Sequence, residues 1–295
     1  MPELPEVETV VRDLKRLVLG AKVKRVWLDV PKFKVVESLV GRKILKVERR
    51  AKYIIFHLDK NKGFMLHLKM TGHLLLGEWT WPKKVGEKPV GISPFAATEP
   101  INRFIHFLLE LDDPPSRKAT EGHSKRMMGF SDMRKFGRVE FGELDEILNH
   151  AALKKMATDL IFMDFADFKE RVLKRKRNIY QTLLDQSVVA GLGNIYVNDT
   201  LYKAKVHPKK VANQLSVSEL KRLYEYGREI LNKAIELRGT SVDDFRDLEG
   251  ERGNYGAVRL IYGRKGEKCK KCGTIIEKMK IGGRSICYCK NCQKL

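Results

Sequence analysis

The hydrophobic pattern of the chain changes period twice. Val7, Val10, Val11, Leu14, Leu17 and Val18 recur at steps of three and four, which gathers apolar side chains on one face of a helix. Pro5 suits the first turn of that helix, where its missing N–H costs nothing, and Gly20 suits its stop. From residue 21 the runs shorten. The stretches 21–30, 43–49, 53–59, 63–79, 104–113 and 138–142 read as strands with turns between them. Residues 82–100, rich in Pro and Gly, and the polar residues 112–126 read as loops, the second a candidate disordered insertion. Near residue 150 the helical period returns. Segments 165–177, 179–186 and 195–204 are short candidates, and 216–239 is a long one with a Ser216–Glu219 capping box and Gly239 as its stop. The pattern therefore predicts a multidomain α+β protein: a β-rich domain over 1–145, a linker over 146–158, a helical domain over 159–260 and a cysteine-bearing module over 261–295.

Charge adds a partner to this picture. Lys and Arg number 58 against 37 Asp and Glu, and the excess of +21 runs along the whole chain rather than in one tail. Such a surface suits a polyanion, nucleic acid first and an anionic membrane face second. No stretch approaches the roughly 18 apolar residues of a membrane span. The acidic N-terminus lacks the apolar region of a secretory leader, so a cytoplasmic protein is expected.

All five cysteines fall in the last 27 residues. Cys269-x2-Cys272-x16-Cys289-x2-Cys292 places two sulfurs on each of two tight turns, the pattern of a four-thiolate site for one structural Zn²⁺. Cys287 falls outside it by strand parity. A ribbon this small has no core of its own, so the metal supplies folding energy. Between the knuckles, Gly282 and Gly283 form a hairpin tip that holds Arg284 outward, either as a contact residue or as a solvated turn residue.

Two further places carry candidate chemistry. Gly191 and Gly193 read as a tight turn between two helices, the second starting near Asn194, which is a good N-cap and a phosphate donor. An ordinary helix corner would look the same, but the basic run 174–177 beside it, with Arg175 and Lys176, favours a nucleic-acid contact. At the N-terminus, removal of Met1 would leave Pro2 with a free secondary amine. An α-amino group titrates near 8, well below lysine, and is a competent nucleophile toward a carbonyl-like carbon. Glu3 is placed to exchange protons with a departing oxygen, Glu6 to hold water or sugar one turn on, and Lys52 to act as a second base or phosphate clamp. Two acids at a helix start are equally explained by the helix dipole.

These residues resemble the bacterial-type formamidopyrimidine-DNA glycosylase family. The likeness runs nearly end to end, through "PELPEVET", "RRAKY", "HLKMTG", "DMRKFG", "LLDQSVVAGLGNIY", "IYGRKGEKC" and the four cysteines. It implies an N-terminal β-sandwich preceded by a catalytic helix, a helix–two-turn–helix domain and a zinc ribbon, acting as a monomer on damaged double-stranded DNA. It implies removal of oxidised purines and strand cutting by β,δ-elimination. Pro2 would be the Schiff-base nucleophile, Glu3 the general acid, Lys52 an aid to β-elimination and Arg284 a phosphate contact linked to δ-elimination. His67 and Asn194 would contact DNA, and Met70, Arg134 and Phe136 would fill the space left by a flipped nucleotide. Residues 240–256 would cap the extruded base. Phe104, Tyr180 and Asp199 stand where the family often has His, Lys and Glu, and "MATDLI" replaces its usual linker. Two other expectations remain open: an endonuclease VIII-like enzyme for oxidised pyrimidines, whose chains usually begin "PEGPE", and a non-enzymatic zinc-ribbon binder of damaged DNA.

Overall fold

The computed structural model describes residues 2–84, 87–112, 126–241 and 245–295. Helix α1 (Leu4–Leu17) opens the chain, with Lys15 and Arg16 at its C-terminal end, where the dipole favours cations. Its apolar stripe is buried as the spacing predicts, and Gly20 beyond it has φ +84°.

Strands β1 (Val23–Leu28), β2 (Ile44–Arg50), β3 (Tyr53–Leu58), β4 (Lys62–His67), β5 (Gly72–Gly77), β6 (Ile105–Leu111), β7 (Met127–Asp132) and β8 (Arg138–Glu143) follow. They form two antiparallel sheets, in the orders β1-β6-β7-β5 and β2-β3-β4-β8. Leu74, Leu76, Phe107 and Phe130 from one sheet and Val47, Ile54, Phe56 and Leu66 from the other enclose one core, which Val7, Val10 and Leu14 of α1 complete. This is the expected sandwich. The alternate residues Leu75 and Leu108 face the other way, into a second cluster around Trp79. Helix α2 (Pro94–Thr98) covers that cluster with Phe95 and Ala96, so part of the expected 82–100 loop is helical.

Strand β7 is not legible in the sequence. "MMGFSD" shows no apolar–polar alternation because it is a central strand buried on both faces. Gly129 within it has Ile105 and Leu108 side chains 3.0 Å from where a Cβ would sit. The expected insertion at 112–126 falls almost wholly on residues outside the described ones.

Helices α3 (Leu144–Leu148) and α4 (Ala151–Lys154) end this part of the chain. Next come α5 (Phe165–Leu173), α6 (Ile179–Leu184), α7 (Asn194–Ala204), α8 (Val217–Glu236) and α9 (Tyr255–Val258). Phe168, Ile179, Tyr196, Leu201, Leu220 and Leu231 share their core. The Ser216–Glu219 capping box of α8 is present in both directions. Strands β9 (Glu277–Ile281) and β10 (Arg284–Tyr288) form the terminal hairpin.

The chain divides into two compact units. The first holds Pro2, Glu6–Leu153 and Arg238–Gly253; the second holds Glu3–Pro5, Lys154–Leu237 and Asn254–Leu295. Residues 238–241 and 245–253 thus group with the sandwich, whose core Phe245 and Leu248 enter.

Candidate active site and nucleic-acid interface

In the first unit, Pro2 is buried. Glu6 is 1 % exposed, and its Oε1 accepts a hydrogen bond from the Thr240 amide at 2.7 Å. Gly239 makes that approach possible: its φ is +80°, and a Cβ there would lie 2.8 Å from the same oxygen. Gly239 therefore does more than stop α8, the only role its sequence position suggests.

Lys52 lies in the two-residue turn joining β2 to β3, next to Ala51 at φ +52°, and is largely buried. His67 ends β4, edge-on to Tyr53 with ring centroids 4.4 Å apart. Burial pushes its pKa down to about 3, helped by the charges of Lys69, Lys52 and Arg138. The neutral ring accepts a hydrogen bond from the Lys69 amide at Nδ1, which leaves its proton on Nε2 as a donor. Burial and the nearby Arg138 and Lys32 also lower Lys69. Like charges crowded this way oppose one another in the free protein, and a polyanion relieves them.

The three wedge candidates sit together on two loops of this unit. Met70 is 43 % exposed and Phe136 47 %. The Arg134 guanidinium stacks 4.5 Å over the Phe136 ring and points Nη1 at Met70 Sδ, 3.3 Å away. Asp132, fully buried, ties the two loops together. Its Oδ1 accepts from Thr71 Oγ1 at 2.5 Å and its Oδ2 from the Gly137 amide at 2.7 Å. The Arg134 amide donates to Thr71 Oγ1 at 3.1 Å. Sequence reading missed Asp132 and Thr71, although "DMRKFG" carries the Asp-to-Gly spacing of such a turn.

In the second unit, Glu3 is 2 % exposed at the head of α7, where Oε1 accepts from the Ile195 amide at 3.4 Å. A Cβ on residue 193 would lie 2.0 Å from the Glu3 carboxyl carbon, so only glycine admits the acid. Asn194 is not the N-cap expected of it: Gly193 takes that position and Asn194 is the first helical residue. Its Oδ1 accepts from Tyr180 Oη at 2.6 Å and its Nδ2 donates to the Ser285 carbonyl at 3.3 Å. Tyr180 thus orients the Asn194 amide, and burial pushes its phenol up to about 12, so the hydroxyl keeps its proton. The basic run resolves into two kinds of residue. Lys174 pairs with Glu170 and Arg177 with Asp185. Arg175 and Lys176 have no acidic partner among the described residues.

The hairpin tip is Gly282–Gly283, both at positive φ, and Arg284 is exposed beside it. The Sγ atoms of Cys269, Cys272, Cys289 and Cys292 lie within 4.8 Å of one another, and four clustered thiols fit one tetrahedral zinc. Cys287 stays outside this group of four; it is buried, and its amide donates to Asn198 Oδ1 at 2.8 Å. Tyr202 Oη lies 3.1 Å from Cys269 Sγ, an outer contact from α7 that spacing could not reveal. Asp199, another departure, is buried and accepts from Tyr255 Oη and from the amides of Leu260, Ile261 and Tyr262, which fastens the approach to the ribbon onto α7.

Comparison with known proteins covers the whole chain. Residues 1–139 match the formamidopyrimidine-DNA glycosylase N-terminal domain, 157–246 the formamidopyrimidine-DNA glycosylase H2TH domain, and 266–295 the zinc finger found in FPG and IleRS. Formamidopyrimidine-DNA glycosylases of Heliobacterium modesticaldum and Pelotomaculum thermopropionicum are 34% and 35% identical, each over 100% of both chains. Among solved structures, Lactococcus lactis Fpg bound to DNA with an abasic site aligns with TM-score 0.83 and 32% identity over 100% of both chains. The same enzyme with DNA containing N7-benzyl-Fapy-dG aligns equally well.

Proposed function

The chain belongs to the formamidopyrimidine-DNA glycosylase family, and on that premise we propose that it removes oxidised purines from duplex DNA and then cuts the strand as an abasic-site lyase. The observation that supports this most is the seat of Glu3, a buried carboxylate held on a glycine floor at a helix head, next in the chain to Pro2. With Met1 removed, the Pro2 amine attacks the sugar C1′ while the bond to the damaged base breaks and the base leaves with a proton. Glu3 protonates the ring oxygen as the sugar opens, giving an iminium between Pro2 and C1′. Loss of a C2′ proton expels the 3′-phosphate, and a second elimination expels the 5′-phosphate. Lys52 serves the first elimination and Arg284 steadies a phosphate in the second.

DNA is held by His67 through Nε2–H, by Asn194 and by Arg175 and Lys176, which have no acidic partner among the described residues. Met70, Arg134 and Phe136 fill the gap left by the extruded nucleotide, Arg134 offering hydrogen bonds to the orphan base. Cys269, Cys272, Cys289 and Cys292 hold zinc, which keeps the Arg284 hairpin folded. The protein works as a monomer in the cytoplasm.

Borohydride trapping tests the reading. An 8-oxoguanine duplex should yield a covalent complex with the wild type and none with Pro2→Gly; equal trapping by the variant rules out Pro2. Intact mass should show loss of one methionine. A thymine glycol duplex is the comparison substrate, and faster turnover on it would favour the oxidised-pyrimidine reading.

A further inference from the structure

Helix α1 carries two buried carboxylates on one face, Glu6 and Asp13, two turns apart. The sequence suggests Glu6 as a holder of water or sugar and leaves Asp13 without a role. Both meet the same short segment. Thr240 donates its amide to Glu6, and Arg238 donates Nη2 to Asp13 Oδ2 at 2.6 Å. The Arg238 fork also grips Asp247 Oδ2, through Nη2 at 2.6 Å and Nε at 2.9 Å. Asp247 is 1 % exposed and organises the far side of the segment: its Oδ1 accepts from the amides of Glu249 and Glu251. One guanidinium therefore joins the catalytic helix to both described arms, 238–241 and 245–253.

Two features mark this as a built clamp. Arg238 sits at φ +60°, a conformation that disfavours any side chain, and the chain keeps a large one there. Burial, with Asp247 adding, pushes Asp13 above the usual carboxylate range. Two buried acids this close are tolerated because the guanidinium lies between them. A second tie, Arg16 to Glu249 at 2.6 Å, and the Leu76 amide on the Leu248 carbonyl at 2.7 Å hold the outer arm.

We propose that Arg238 is a specificity-determining positioning residue, which fixes residues 238–241 and 245–253 against α1 so that release of the damaged base depends on the Arg238–Asp13–Asp247 clamp while cutting at a base-free site does not. This rests on the glycosylase–lyase reading and on the segment's likeness to the base-capping region. A preformed abasic site presents no base for the segment to hold, so the two reactions separate the clamp from the rest of the machinery.

The experiment measures single-turnover excision of 8-oxoguanine and strand cutting at a preformed abasic site, with the full zinc-loaded chain. The variants are Arg238→Gly, Arg238→Lys, Asp13→Asn and the double Arg238→Gly/Asp13→Asn. Glycine suits φ +60°, so Arg238→Gly removes the fork without adding backbone strain. Excision should fall at least about tenfold in Arg238→Gly, consistent with small misplacements near a reacting centre. Asp13→Asn should fall in the same direction, Arg238→Lys should recover only part, and the double variant should lie within about twofold of Arg238→Gly because its two changes break one unit. Abasic-site cutting should stay within about twofold throughout. Excision within twofold of wild type in Arg238→Gly, or both reactions falling together, overturns the proposal. A wild type that cuts neither substrate overturns the functional reading beneath it, a result distinct from either of these.

Discussion

At the level of single residues, two glycines and a histidine carry most of what the site adds to a list of side chains. Gly193 and Gly239 each leave a carboxylate the space a Cβ would take. Gly193→Ala should therefore displace Glu3. We expect base excision to fall by about a hundredfold, the scale of a one-ångström misplacement, and stability by about 1–3 kcal/mol from overpacking. Single-turnover kinetics and urea denaturation check both; unchanged excision would show that the Glu3 seat is not needed. His67 offers a second test. Its pKa of about 3 keeps the ring neutral at physiological pH. Its ¹⁵N resonances should show the Nε2–H tautomer and stay constant from about pH 5 to 8, the range where an ordinary histidine titrates. A midpoint inside that range would contradict the environment described.

At the level of elements, buried carboxylates join pieces that are distant in sequence. Asp132 holds the loop after β4 to the loop after β7. Asp132→Ala would strand a hydroxyl and an amide without their acceptor, at a cost of about 1–3 kcal/mol for each buried group. Wedge geometry should loosen with it, read as weaker binding to a lesion duplex alongside a lower melting temperature. Glu8 joins α1 to β2 through Arg49, 2.7 Å away and 3 % exposed. Burial alone would raise the Glu8 pKa, but Arg49 and then Arg12 bring it below 4.5. The folded-state pKa is thus the lower one. The pair contributes stability that is full above about pH 4.5 and is lost as pH falls through the folded value. Urea midpoints from pH 6 downward should drop more steeply for wild type than for Glu8→Gln; parallel curves would remove Glu8 from the acid response.

For the whole molecule, two terms dominate: charge and metal. With a net charge of +21, DNA affinity should fall steeply with salt, the slope in a log–log plot being about −0.9 per phosphate neutralised. Near-flat binding would count against any DNA partner. Zinc should be present at one equivalent. Its removal should unfold the β9–β10 hairpin and weaken DNA binding, with recovery on adding zinc back, because four clustered thiols lose the ion that links the two knuckles.

Periodicity and spacing were sufficient wherever the cause is local. The stripe of α1, the capping box of α8, the Gly282–Gly283 tip and the four cysteines each follow from residues near one another in the chain. Motif order along the chain likewise identified the family. Tertiary structure decided what depends on partners far away in sequence. Strand β7 was hidden because burial on both faces erases alternation. The cap fell to Gly193, not Asn194, and the need for glycine there comes from Glu3, 190 residues upstream. Arg238 reads as one more exposed cation at a helix end until Asp13 and Asp247 are brought to it. A sequence shows which groups are available, but desolvation, close approach and charge pairing act through space, and only the fold sets those distances.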